Sequence, residues 1–139
     1  MTDLVRASFS IEEPLMNQLE ALVKASGYAN RSEFIRDMIR ARLVEETWER
    51  NEIAVGTITM LYDHHQRGLS HKLMDLQHHH HNEVLVTTHV HLDRDLCVEV
   101  IMVRGRAEEI KTLCDTLRQQ RGVLHADLSI CSTGLELKG

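Results

Sequence analysis

The sequence predicts an α+β chain of two small units, a strand–helix–helix unit followed by a β-α-β-β-α-β unit. Three observations predict it. Apolar and polar residues alternate from Val5 to Ile11, and two amphipathic helical patterns follow directly. Beyond about residue 52 the pattern changes to short β-branched runs that alternate with helical runs. Finally, six of the ten histidines fall between His78 and His91, where one such helical run gives way to one such strand.

The elements follow in order. Val5, Ala7, Phe9 and Ile11 share one face and Arg6, Ser8 and Ser10 the other, the period of a half-buried strand. Pro14 suits a first helical turn, and Leu15, Leu19, Leu22 and Val23 then form one helix face that Gly27 ends. Asn30 offers an N-cap with Glu33 three residues on, a capping-box arrangement. A second helix runs from about Arg31 toward Trp48, with Phe34, Ile35, Met38, Ile39 and Leu43 apolar. One strand and two helices in about 45 residues bury little surface alone, so an intertwined dimer is expected. The charged stretch from Val44 to Glu52 reads as a helix tail and linker, and the units divide into residues 1–48 and 49–139.

In the second unit, Ile53 to Tyr62 reads as a strand and Leu69 to about Gln77 as a short helix. Residues 84–92 and 97–104 form a hairpin around the polar turn Asp93-Arg94-Asp95, and Gly105 reads as a turn. A helix covers Ala107 to Gln120 with Ile110, Leu113, Cys114 and Leu117 apolar, Gly122 ends it, and Val123 to Cys131 is the last strand. Cys114 and Cys131 read as small buried thiols, and Ser132 to Gly139 as a frayed tail. The order is that of a ferredoxin-like split unit.

Charge excludes little. The chain carries a net −5, and residues 1–42 hold six basic and six acidic side chains, so any DNA contact must come from local arrangement. No apolar run reaches membrane-spanning length and no signal-peptide pattern opens the chain. Three cysteines, an odd number, point to reduced thiols and a cytoplasmic protein.

The chemistry concentrates in the hairpin. His89 and His91 lie at i and i+2 of a strand, so both imidazoles point to one face. Cys97 opens the returning strand beside them, and the internal run His78-His79-His80-His81 is close enough to complete the set. Mixed imidazole and thiolate donors suit zinc, copper or nickel. Glu99, two residues after Cys97, shares its face and is placed to accept a ligand ring N–H. His71 and His125 have no partner in the pattern.

With Gly27-Tyr28 in the turn and Asn30-Arg31-Ser32-Glu33-Phe34-Ile35-Arg36 opening the second helix, the first unit resembles the ribbon-helix-helix DNA-binding family. The resemblance implies that strands of two chains pair into a ribbon in the major groove. It assigns Arg6, Ser8 and Ser10 to base edges, roles that suit a bidentate guanidinium and hydroxyls. Joined to an ACT-type ferredoxin-like unit with Gln77-His78-His79-His80-His81, His89-Val90-His91 and Cys97, the chain resembles the nickel-responsive regulator family, NikR, from residue 4 to about 131. That resemblance implies a nickel-dependent repressor of an inverted-repeat operator, built as a homotetramer of two dimers. It places nickel(II) in a square plane of His89, His91 and Cys97 with His78 from another chain, and leaves His79, His80 and His81 without a role at that ion. It further implies a loop contact to DNA through Arg67 and a potassium-like cation between the units at Glu33 and Asp37. Ser8 and Ser10 stand where the family often carries Thr, and Gln66 where it often carries Lys, so the operator and the loop contact differ from the usual pattern.

Other classes remain open on the residues alone. A zinc-dependent metalloenzyme would start from a His/His/Cys set with one open position, and a metal-storage protein from the same donors. A regulatory domain sensing an amino acid would share the fold, but has no use for these ligands.

Overall fold

The computed structural model describes residues 3–79 and 83–138. The expectations for His80 and His81 lie outside the described residues. Helix α1 (Glu13–Ala25) begins with Pro14 in its first turn, and Gly27 follows it at a φ of +71°. That left-handed conformation suits a residue without a Cβ. Helix α2 (Arg31–Glu49) is capped by the Asn30 carboxamide, which accepts from the Glu33 amide at 2.9 Å. Only half of the capping box forms, because the Glu33 carboxylate turns to the Arg36 guanidinium at 2.5 Å.

Strands β1 (Ile53–Asp63), β2 (Glu83–His91), β3 (Leu96–Arg106) and β4 (Val123–Cys131) make one antiparallel sheet in the order β2-β3-β1-β4. Helices α3 (Leu69–His79) and α4 (Ala107–Arg118) cover one face of it. The core joins Ile58, Met60, Ile101 and Val103 of the sheet to Leu69 and Leu73 of α3 and to Ile110, Leu113 and Leu117 of α4. Alternate residues point the other way, and there Val86, Val90 and Met102 stay exposed.

Five expectations change. Residues 3–12 carry neither helix nor ladder, and residues 3–10 are exposed rather than half-buried. A lone strand satisfies its backbone only against a neighbour, and none of the described residues offers one. Second, the stretch from Val44 to Glu52 is no free linker. Helix α2 continues to Glu49 and buries Trp48, only 3% exposed. The indole N–H donates to the Cys131 carbonyl at 2.9 Å, and the ring packs on Gly56, where even a Cβ would come within 3.0 Å of it. Asn51, at a φ of +54°, caps α4 by accepting from the Glu108 amide at 2.9 Å. A charged helix tail is thereby spliced into the sheet unit. Third, Gly105 pairs with Ala54 inside β3 and makes no turn. Fourth, Cys114 is buried but Cys131 is exposed at its strand end. The tail folds back locally instead of fraying, with the Gly134 amide donating to Ser132 Oγ at 2.7 Å.

Candidate metal centre and DNA-facing residues

The hairpin register builds the centre. His91 pairs with Cys97 and His89 with Glu99 across β2 and β3. The donor atoms of His89, His91 and Cys97 all lie within 4.8 Å of one another. The two imidazoles are exposed and the thiol is buried. Cys97 Sγ and His91 Nδ1 are 3.1 Å apart, the separation of a thiol donating to a ring nitrogen. Burial pushes the Cys97 thiol up, and the nearby Glu99 and Asp93 carboxylates push it further. Without an ion the sulfur therefore holds its proton, and a cation would displace it.

Behind the donors runs a hydrogen-bonded chain that the sequence pattern did not reveal as a whole. The Tyr62 hydroxyl lies 3.0 Å from His89 Nδ1 and 3.4 Å from Glu99 Oε2. Burial raises the Tyr62 phenol well above its ordinary value, and the Glu99 charge adds to this, so Tyr62 stays a neutral hydroxyl. Gln77 of α3 donates its amide to Glu99 Oε1 at 3.2 Å and accepts from Thr87 at 3.5 Å. Glu99 is 8% exposed. It accepts from Tyr62 and Gln77, and reaches His89 through the phenol. Only the periodicity of β1, which turns Tyr62 to the helix face, could have placed it beside His89.

His78 does not join the three donors within its own chain, although it borders the same cavity of about 730 Å³ as Tyr62, Gln77, His89 and Glu99. The residues present fit a thiophilic transition metal. A thiolate and two imidazoles are borderline-soft donors, and the exposed imidazole edge leaves room for another ligand.

Arg6, Ser8 and Ser10 are exposed and lie together on the first ten residues. Arg67 is exposed in the loop before α3, next to Gly68 at a φ of +75°. The carboxylates expected to hold a second cation are engaged. Asp37 accepts from the Tyr28 hydroxyl at 2.6 Å and from Arg40 at 2.7 Å, which together hold its carboxyl below the ordinary range.

Residues 55–131 match the NikR C-terminal nickel-binding domain, and residues 5–46 match the ribbon-helix-helix protein, copG family. Curated relatives named as nickel-responsive regulators span the whole chain. One from Solibacter usitatus is 46% identical over 99% of this chain and 100% of its own. One from Geobacter sulfurreducens is 49% identical over 99% of each. Among solved structures, the ACT domain of a GTP pyrophosphokinase from Chlorobium tepidum aligns with a TM-score of 0.51 at 14% identity, over 55% of this chain and 99% of that one. That likeness concerns the fold of the second unit alone.

Proposed function

The chain belongs to the nickel-responsive regulator family, and on that premise we propose which of its residues hold nickel(II), which meet DNA, and how the copies assemble. The family is one of transcription regulators and not of enzymes. The observation that carries the reading is the convergence of His89, His91 and Cys97 within 4.8 Å, in a chain whose first unit is a ribbon-helix-helix domain.

His89, His91 and Cys97 hold nickel(II), and His78 of a second copy supplies the remaining donor. Tyr62 and Glu99 orient His89, since a buried hydrogen-bond partner fixes both the rotation and the tautomer of a ligand ring. Residues 1–48 form the DNA-binding unit and residues 49–139 the metal-binding and assembly unit. Arg6, Ser8 and Ser10 read the bases of an inverted repeat, and Arg67 meets a phosphate. A potassium-like cation between the units would use Glu33 and Asp37, and would have to displace Arg36 and Arg40 from them.

Two uncovered apolar faces support a dimer of dimers. Phe9, Leu15, Leu22 and Met38 are each more than half exposed on the first unit. Val86, Val90 and Met102 are exposed on the far face of the sheet. Contiguous apolar patches of this kind mark interfaces, and two distinct ones on a single chain allow a closed tetramer. Among the described residues no helix is long and apolar enough to cross a membrane, and a DNA-binding regulator with reduced thiols fits the cytoplasm.

The experiment is an absorption titration of the metal-free protein with nickel(II). One ion per chain and a thiolate-to-metal band are expected, both lost in Cys97→Ser. The thiol is raised by burial, so it is protonated at neutral pH and must release its proton. Affinity therefore falls as pH falls, about tenfold per pH unit for each proton released. Nickel affinity unchanged in Cys97→Ser would remove Cys97 from the centre.

A further inference from the structure

We propose that His64 and His65 are positioning residues that clasp the Arg67 loop to the tip of the β2–β3 hairpin, so that the metal donors and the phosphate-facing loop move together. The inference rests on reading the hairpin as the metal centre, and deepens that reading by naming how the centre reaches the loop.

The observations converge on one oxygen. The Arg94 carbonyl, at the hairpin tip, lies 3.0 Å from His65 Nε2 and within hydrogen-bond reach of His64 Nε2. An imidazole N–H from each ring donates to it, and the two rings lie against each other, tilted by 39° with centroids 4.0 Å apart. His65 Nε2 is also 3.1 Å from Asp95 Oδ1, and the His64 amide donates to the Asp95 carbonyl at 3.0 Å. The tip that receives these bonds is itself stiff. Asp93 Oδ1 accepts from the amides of Asp95 and Leu96 at 2.8 and 2.9 Å, and those bonds hold its carboxyl below the ordinary range.

On its other side the clasp touches a metal donor. The His64 ring meets the His91 ring edge to face, with centroids 5.2 Å apart at 83°. His91 Nδ1 faces the Cys97 thiol at 3.1 Å. A cation held by Cys97 and His91 would compete with that hydrogen bond and bear on the ring against which His64 rests. The far end of the loop is also anchored, because the Gln66 side chain lies over Gly122, whose φ is +98°. Arg67 thus stands between a contact to His91 and the start of α3, the helix that carries His78. The clasp is built of exposed polar groups, which contribute little to global stability, so its effect is local.

The test uses the full-length chain with His64→Ala and His65→Ala together. Without metal, tryptic cleavage after Arg67 requires the loop to open locally, and losing the two ring bonds makes it roughly tenfold faster. With nickel, stoichiometry and the thiolate band stay as in wild type. The slope of log affinity for DNA against log salt becomes shallower by about 0.9 for each phosphate that Arg67 no longer neutralises. Preference for the selected operator over random duplex is retained, because Arg6, Ser8 and Ser10 are untouched. The paired His64→Gln, His65→Gln variant keeps an N–H for the Arg94 carbonyl and returns cleavage toward the wild-type rate. Wild-type cleavage and salt slope in the alanine variant would overturn the clasp, and so would loss of the nickel band, which would make these residues ligands. If wild type itself bound no nickel, the metal centre would fail, while the metal-free cleavage rates would still judge the clasp.

Discussion

The two halves of this chain differ in what they finish alone. From Glu52 onward the chain closes its own core: Ile58, Ile101, Ile110, Leu113 and Leu117 are wholly buried, and every strand of the sheet is paired. Before Thr47 hardly anything is closed. Val23 is buried, but Phe9, Leu15, Leu22, Met38 and Ile39 lie open, and residues 3–12 find no ladder. The metal centre lies in the closed half, with three donors gathered by one hairpin. The sheet unit thus closes its own core, while the first unit leaves most of its large apolar side chains open.

The largest expected effect breaks the splice between the halves. Trp48→Ala should cost about 3–5 kcal/mol, the usual range for removing a buried aromatic, and chemical denaturation should show it independently of protein concentration. Phe9→Ala should act differently. Its side chain is exposed on one chain, so its loss should lower the midpoint most in dilute protein, as expected where folding and association are linked. Equal concentration dependence in the two variants would erase the distinction. Next, Arg6→Ala should weaken operator preference by about 1–3 kcal/mol, the scale of one bidentate base contact, with core stability unchanged. Competition between operator and random duplex measures this, and undiminished preference would take the ribbon out of base reading. A last variant, with an effect of similar size, sharpens the account of the centre. Glu99→Gln should reduce nickel affinity about 10- to 100-fold, as losing an outer hydrogen-bond partner does, while keeping the thiolate band that Cys97→Ser loses.

What the sequence made legible follows the same division. His89, His91 and Cys97 could be read because period-2 alternation and a short polar turn are local rules, and the structure brings their donor atoms together. The helix limits at Asn30 and Gly27 were legible for the same reason. Tyr62 and Gln77 were not, because each acquires its role only when β1 and α3 are laid beside β3. Trp48 was hidden by its neighbours: Glu45, Glu46, Glu49 and Arg50 make the segment look solvated, while one indole faces the other way into the core. Likewise His64 and His65 look like an ordinary polar loop until the tip at Arg94 is folded against them. The segment Val5 to Ile11 has the right alternation, but among the described residues it finds no ladder partner.

The central claim is that the metal centre and the reading strand, in different units, are coupled. The most direct measurement titrates one selected operator at one salt concentration with metal-free protein, nickel-loaded protein and His78→Ala protein. Coupling between sites is typically about 1–3 kcal/mol and is reciprocal. Nickel should therefore tighten operator binding roughly 5- to 150-fold, operator should tighten nickel by the same factor, and His78→Ala should behave as metal-free protein does. Equal operator affinity in all three would contradict the account, leaving a chain that binds a metal and binds DNA without joining the two.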